Sequence, residues 1–328
     1  MPSRPLVSVC MPAYNAARWI GEAIDSVLAQ TYGELELVVS DNASTDDTAA
    51  IVRSYDDPRI RLEISSELIP PVDNHNRSVS LSRGSFVKFL HADDLLMPTC
   101  LEEMLTVALE DERIGLVFAP REVLLDDAED EESVAWRREH ERLSDQFAEL
   151  AERNDGRALF REILASGIDS NWVGEPSAVM TSRACLDKVG LFNVHVRQIA
   201  DIDLWLRIML WYDVGYIPHP LSSYRHHAQS VTATNARLGR DWLDRVWVLE
   251  PLAAESSLTS DERASVARLR KAALRQAVRT QARHLADRRL WSVGDLLTYG
   301  AYRTRAMVTR RPYPHVRLPA PAEQAPLP

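Results

Sequence analysis

The sequence predicts an α/β fold: a mostly parallel sheet with helices on both faces, followed by a helical C-terminal extension. Three observations carry this. From Leu6 to about Phe118 short apolar runs alternate with helix-period segments, the pattern of β-α-β units. The 328 residues are enough for one or two domains of ~150 residues with a fully buried sheet. A composition of 45% hydrophobic and 26% charged residues is that of a globular chain, which excludes fibrous and wholly disordered classes.

Taken in order, LVSVC, LELVVS, IRLEI, FVKFL and IGLVF read as strands. Between them helices are expected near Ala16–Gln30, Thr45–Ser54, Val72–Leu81 and Pro98–Leu109. Ile20, Ile24, Val27 and Leu28 form the stripe by which the first helix covers the sheet. Residues 126–161 are charged and nearly free of β-formers, and read as one or two solvated helices between a first half, 1–120, and a second, 162–235. Mixed character returns at Asn171–Met180, with an amphipathic helix at about Asp201–Trp211 and a strand at Val214–Ile217. Residues 236–311 read as a basic helical extension, and the Pro-rich tail 312–328 as unstructured.

Charge and cysteine usage narrow the function classes. The net charge is −10, yet residues 263–317 carry 14 Lys and Arg against Asp287 and Asp295, leaving −22 elsewhere. An acidic body repels nucleic acid, and the basic arm has no base-reading motif, so no nucleic-acid partner is expected. Val266, Leu269, Ala273, Leu274 and Ala277 recur at helical spacing, so the arm is expected to pack on the acidic body, with a peripheral membrane contact at its Arg-rich edge. Cys10, Cys100 and Cys185 are too few and too scattered for a disulfide framework or a metal motif. With no secretory signal and no apolar run of about 18 residues, a cytoplasmic protein is expected, peripheral at most at the inner face of the membrane.

In sheets of this kind ligands gather at the carboxyl ends of strands. Pro12, Tyr14 and Asn15 stand there after the first strand, Asp41 and Asn42 after the second, and Asp93 and Asp94 after the fourth. Tyr14 offers a flat ring and Asp41 an acceptor for an imide N–H, together a pocket for a nucleobase; alone, Asp41 reads equally as an Asx turn. The paired acids suit a divalent ion holding a diphosphate, or the start of the helix announced by Pro98.

VSVCMPAYNAARWIGEAIDSVLAQTYGELELVVSDNASTDDT followed by GSFVKFLHADDLLMP resembles a family 2 glycosyltransferase of the GT-A, Rossmann-like fold. The similarity runs from about Leu6 to about Thr232, through GEPSAVM, DIDLWLR and YRHH. It implies an inverting transferase that takes a sugar from a nucleotide diphosphate donor, UDP foremost, with Mg²⁺ or Mn²⁺, and passes it to a glycan, lipid-linked or small-molecule hydroxyl. Residue by residue, it implies that Pro12, Tyr14, Asn15, Asp41 and Asn42 line the nucleoside pocket. Asp93 binds ribose or metal, Asp94 binds metal, and Asp201 is the base. His227, from the Tyr-Arg-x-His pattern, is a further metal ligand, and Glu175, Arg225 and Asp203 face acceptor or diphosphate.

The sequence departs from the family pattern twice. His91 stands where an acid commonly opens Asp-x-Asp-Asp, and Ala200 replaces the Glu before Asp201. Asp201 also reads as a helix N-cap, and Asp203, about 200° round the same helix, faces away from whatever Asp201 faces. His75 and His91 have no role readable from sequence. A sugar-nucleotide nucleotidyltransferase is disfavoured because MPAYNAARW lacks a Gly-rich basic phosphate loop. An inactive nucleotide-binding scaffold is disfavoured by the intact Asp41, Asp93, Asp94 and Asp201, and a polymerising synthase by the missing membrane helices and Gln-x-x-Arg-Trp motif.

Overall fold

The computed structural model describes residues 4–125, 131–227, 235, 242–286 and 293–301. The β-α alternation is built as expected: β1 (Val7–Ala13), α1 (Ile20–Leu28), β2 (Leu35–Asp41), α2 (Thr48–Arg53), β3 (Ile60–Ile64), α3 (Pro71–Leu81) and β4 (Phe86–Phe89). There follow β5 (Leu95–Leu96), α4 (Cys100–Ala108), β6 (Ile114–Phe118), β7 (Arg121–Leu125) and α5 (Glu131–His140). The second half adds β8 (Arg153–Asn154), α6 (Gly156–Ser166), β9 (Val179–Ser182), α7 (Arg183–Val189), α8 (Ala200–Met209), β10 (Asp213–Tyr216) and β11 (Ser222–His226). Beyond the sheet come α9 (Asp244–Ala253) and the long α10 (Ser260–Ala286).

Eight strands form one sheet in the order β3-β2-β1-β4-β9-β6-β10-β8. β1, β2, β3 and β4 run parallel, as do β6 and β10, while β9 lies antiparallel between β4 and β6, and β8 antiparallel to β10. β5, β11 and β7 form a separate small sheet. Being covered on both faces, the central strands bury both sides, and every residue of β2 is buried, Glu36, Ser40 and Asp41 included. On one face Ile20, Ile24 and Val27 of α1 and Met104 and Leu105 of α4 pack on Val9, Leu37 and Val39. On the other, Phe160 and Leu164 of α6 and Leu204, Trp205 and Ile208 of α8 pack on Phe89, Phe118 and Val179.

The structure corrects the segment 126–161. Residues 126–130 lie outside the described residues, and α5 is the polar helix expected, but α6 is a core helix that buries Leu159, Phe160, Ile163 and Leu164. Its moderate mean hydropathy concealed a one-sided apolar stripe. Asp155 caps it by accepting from Ala158 N–H, and Gly156 is required because a Cβ there would fall 1.9 Å from the Tyr212 carbonyl oxygen.

The arm packs as its periodicity predicts. Val266, Ala273 and Ala277 of α10 are buried, with Leu269 and Leu274 against the same core. Glu262 receives Arg161 at 2.9 Å, and Arg270 pairs with Glu250 of α9. The expectation for the tail 312–328 falls outside the described residues, as do Thr232, where the family resemblance ends, and the arm at 287–292 and beyond Ala301. Among the described residues, no helix is long and apolar enough to cross a membrane.

Candidate active site

The loops after β1 and β2 are clasped together by short polar side chains. Asn15, at φ +48°, accepts through Oδ1 from Thr45 N–H at 2.8 Å, and its own N–H donates to Ser44 Oγ at 2.9 Å. Ala16 N–H donates to Thr48 Oγ1 at 2.8 Å. Ser44 Oγ in turn donates to Asp41 Oδ1, so Asp41 lies buried at the carboxyl end of β2. Tyr14 stands 48% exposed at the end of β1, beside the half-buried Pro12. Asn42 acts on the backbone instead: its side chain pairs both ways with Ile69, at 2.8 and 2.9 Å, and ties β2 to the approach of α3. α2 begins at Thr48 with no side-chain cap.

Asp93 and Asp94 follow β4 but do not start a helix. They sit in the loop before β5, and α4 begins only at Cys100. The two acids then part company. Asp94 is buried and accepts from Ser177 Oγ at 2.6 Å and from Arg225 N–H at 2.9 Å, with His91 Nδ1 at 3.3 Å. Burial pushes its pKa up. Asp93 is more open, and its Oδ2 lies 2.9 Å from Nε2 of His227. Burial works against its charge most strongly, but the hydrogen bond from His227 and the neighbouring His91 and His227 rings together lower its pKa.

β11 delivers His227 to this point. Arg225 Nε donates to the Asp93 carbonyl at 2.9 Å and Nη2 to Glu22 Oε2 at 2.7 Å, which fastens β11 to the acid loop and to α1. The guanidinium thus holds the loop, at the residue to which the resemblance gave acceptor or diphosphate contact. The Trp19 ring packs 4.3 Å from the His227 ring.

Sequence reasoning found no role for His75 and His91, and the structure joins them at 3.1 Å between Nε2 atoms. His75 Nδ1 is 2.9 Å from the Pro71 carbonyl, which fixes the proton on Nδ1 and leaves Nε2 as acceptor. Burial lowers His75 to about 4. Burial also opposes charge on His91, yet Asp94 and Asp93 raise it to about 9. The one available signal was that His91 fills a position the family commonly gives to an acid.

Asp201 enters from the far side on the first turn of α8. The N-cap position is Ile199, without a side-chain cap, so Asp201 is not the cap of this helix. Its Oδ2 accepts from Asn171 Nδ2 at 2.7 Å and its Oδ1 from Ile202 N–H at 2.8 Å. Asn171 is itself oriented by the turn at Gly174, whose φ of +110° only glycine adopts freely: it accepts from Gly174 N–H at 3.0 Å and donates to Gly174 O at 2.8 Å. Burial, reinforced by the Glu175 carboxylate and opposed by the Ile202 N–H, pushes Asp201 up to about 7.

Two acids expected near acceptor or diphosphate are otherwise engaged. Asp203 is buried on the opposite side of α8 and takes both Nε (2.9 Å) and Nη2 (2.7 Å) of Arg207, whose guanidinium also bonds the carbonyls of Val189 and Leu191. It holds the α7–α8 turn and lies outside the cluster. Glu175 remains beside Asp201 but is gripped by Arg121 through Nε at 2.7 Å and Nη2 at 3.1 Å. Arg121 itself is buried, and neither it, Ser177 nor Asn171 stood out in the sequence because none carries chemistry without its tertiary partners.

A divalent ion fits this donor set. His91, Asp93 and Asp94 each offer a ligand atom, all within 4.8 Å of one another, and His227 adds an imidazole on Asp93 whose buried Nδ1 has no partner among the described residues. Carboxylate oxygen with imidazole nitrogen suits Mn²⁺, and carboxylate oxygen Mg²⁺.

The fold and this cluster define a glycosyltransferase, and relatives agree. Residues 8–165 match the family model Glycosyl transferase family 2. The uncharacterized protein MT1568 of Mycobacterium tuberculosis is 36% identical over 78% of this chain and 79% of its own length. The UDP-Glc:alpha-D-GlcNAc-diphosphoundecaprenol beta-1,3-glucosyltransferase WfgD of Escherichia coli is 34% identical over 36% of this chain and 47% of its own. Among solved structures, S. aureus TarS 1-349 in complex with UDP superposes with TM-score 0.58 at 17% identity, covering 83% of this chain and 71% of that one. Mannosyltransferase PcManGT from Pyrobaculum calidifontis, in complex with GDP-Man and Mn²⁺, gives 0.57 at 20% identity, covering 93% and 81%. The chain belongs to glycosyltransferase family 2 and is a transferase acting on nucleotide sugars.

Proposed function

We propose that the protein transfers a sugar, with inversion, from a UDP-sugar to a hydroxyl of a glycan, lipid-linked or small-molecule acceptor, with Asp201 as general base. The observation that carries this reading is the state of Asp201: a carboxylate raised by burial to about 7, held by Asn171, near the His91–Asp93 cluster. A base is most effective with a pKa near the working pH. Asp201 takes the proton of the acceptor hydroxyl as the acceptor oxygen bonds to the anomeric carbon and the bond from that carbon to the diphosphate oxygen breaks.

Asp93 and His227 hold the divalent ion, Mg²⁺ or Mn²⁺, with Asp94 and His91 closing its surroundings. When bound, the ion supplies positive charge for the departing diphosphate. Tyr14 stacks on the base, Asp41 accepts from its imide N–H, and Pro12 lines the pocket, while Asn15 keeps the two loops in register and Asn42 ties β2 to the approach of α3. Glu175, set by Arg121, tunes Asp201 by its charge. The name of WfgD, whose acceptor is a polyprenyl diphosphate sugar, supports a lipid-linked acceptor. Three buried free thiols support a reducing, cytoplasmic setting.

The deciding experiment is a panel of UDP- and other nucleotide sugars with Mn²⁺, read first as thermal stabilisation and then as transfer. A protein stabilised by none of them, with or without Mn²⁺, is not the enzyme proposed. Asp201→Asn that binds donor and transfers at the wild-type rate removes the base assignment.

A further inference from the structure

Half of the exposed large apolar side chains among the described residues lie in one short stretch: Val278, Leu285, Val293, Leu296 and Leu297, of ten in all. The same stretch is cationic. From Arg263 to Ala286 the chain has seven Lys and Arg and no acid, in a protein that is otherwise strongly negative. A helix exposed only to water ordinarily mixes both signs of charge with few apolar residues. The outer face of α10 does neither.

Helical geometry puts the two features together. At about 3.6 residues per turn, Lys271, Arg275, Val278 and Leu285 fall within about 80° of one another, with Arg268 and Arg279 on one flank. All six are exposed, and the face lies opposite the buried Val266, Ala273 and Ala277. Of the basic residues on α10, Arg270 is drawn inward to Glu250. Lys271, Arg275, Arg268 and Arg279 stay on the outer face, beside Val278 and Leu285.

The position of this surface links it to the reaction. In the helical segment 293–301, Asp295 pairs with Arg197 at 2.7 Å, and Tyr299 packs edge-on against Trp247, which also stacks on His195. Residues 195–199 lead directly into α8 and its Asp201. The exposed Leu296 and Leu297 are therefore braced against the loop that presents the base.

We infer that the outer face of α10 and the 293–301 segment together form a docking surface for an anionic phospholipid bilayer, with the basic residues on headgroups and Val278, Leu285, Leu296 and Leu297 in the interfacial layer. Charge complementarity selects this occupant: cations attract the negative leaflet, and an apolar centre gains only where hydrocarbon is present. Two weak signals of this kind combine into stable attachment where either alone is marginal. The inference deepens the proposed function, since a surface braced on the Asp201 loop brings a lipid-linked acceptor to the base.

The test is co-sedimentation of the full chain with vesicles of phosphatidylglycerol and phosphatidylcholine, and with phosphatidylcholine alone, at low and high salt. Binding is expected to the anionic vesicles only and to weaken with salt. K271E/R275E/R279E is expected to bind about tenfold less or weaker still, and Leu296→Ser with Leu297→Ser to weaken binding at both salt concentrations. Both variants change exposed residues outside the catalytic cluster, so melting temperature and Mn²⁺-dependent UDP binding should stay at wild-type values. The inference is overturned if the intact protein does not sediment with anionic vesicles at low salt, binds neutral vesicles equally, or binds undiminished in either variant. Failure of UDP binding in the intact protein would instead count against the proposed function, and vesicle binding reads out separately.

Discussion

The Asp93 carboxylate meets Nε2 of His227 at 2.9 Å, although 134 residues separate them in the chain. The contact joins the loop after β4 to the end of β11, and Arg225 clamps the same two segments through the Asp93 carbonyl. The hydrogen bond from His227 to Asp93 is thus the product of two strands in different sheets.

If this pair holds the ion, Asp93→Asn and His227→Ala should each weaken Mn²⁺-dependent UDP binding by roughly 10-fold or more, as loss of one ligand implies. Calorimetric titration with and without Mn²⁺ reads this directly. Unchanged metal dependence in both would remove the assignment.

Asp94 should behave differently because it is buried and already accepts from Ser177 Oγ and Arg225 N–H. Replacing it with Asn turns an NH₂ group toward one of those donors. A stability loss of about 1–3 kcal/mol is expected, the usual cost of a buried group left without its partner. Urea unfolding checks it; a variant as stable as wild type but without metal binding would make Asp94 a ligand rather than a brace.

Asp201 carries two opposite expectations. Its pKa is raised to about 7, so the ionised base form fills in as pH rises through about 7, and transfer should climb over that range. Asp201→Asn should cut transfer by roughly 10²-fold or more and flatten the profile. Stability runs the other way: folding favours the protonated carboxyl, so its contribution is present at low pH and is lost as pH rises from the ordinary Asp range through about 7. Between pH 5 and pH 8 the wild-type protein should therefore lose stability relative to the Asn variant, whose amide NH₂ faces a donor at either pH.

What the sequence revealed depended on range. β1, β2 and β4 with α1 and α3 were legible because each satisfies its own periodicity, and Tyr14, Asp41, Asp93 and Asp201 stood out through their place after strands or in a motif. β7 and β11 were not, since REVLL and SSYRH become strands only by pairing across the fold, with each other and, for β11, with β5. For Asp203 the resemblance and the helical geometry disagreed: the resemblance put it on acceptor or diphosphate, whereas the helical turn and the Arg207 fork take it to the face opposite Asp201. Arg121, Asn171 and Ser177 act by orienting charges that are distant in the chain, and single-sequence patterns do not encode such partnerships.

Arg121 tests the importance of that orienting shell. It is buried, it grips Glu175 with two nitrogens, and Nη1 bonds the Glu141 carbonyl at 3.1 Å, so it also holds the end of α5 near the site. Removing it leaves a carboxylate without its counter-charge, for which about 3–5 kcal/mol is typical when a buried pair is broken. Arg121→Met should be strongly destabilised in urea, and adding Glu175→Gln should recover part of the loss. If the double variant were as unstable as the sum of the two singles, the pair would not be coupled.

The packing of α10 makes the last prediction. Val266 is fully buried, Ala273 and Ala277 press on the same core, and Glu262 at the helix start receives both Arg161 and, at 3.7 Å, Arg157 from α6. The helix is therefore part of the fold and not an appendage tethered by charge. Deleting residues after Ala264 strips apolar cover from α6 and α9, and the truncated chain should melt lower and bind a hydrophobic dye. Val266→Ala is the milder form: loss of two buried methyl groups should cost about 1–2 kcal/mol, mostly as transfer energy and cavity. Because Arg161 is exposed and the buried Glu262 keeps Arg157 and the Thr259 N–H, Arg161→Ala should cost about 1 kcal/mol beside it. A truncated protein with an unaltered melting temperature would mean that the arm's contacts add nothing to the stability of the body.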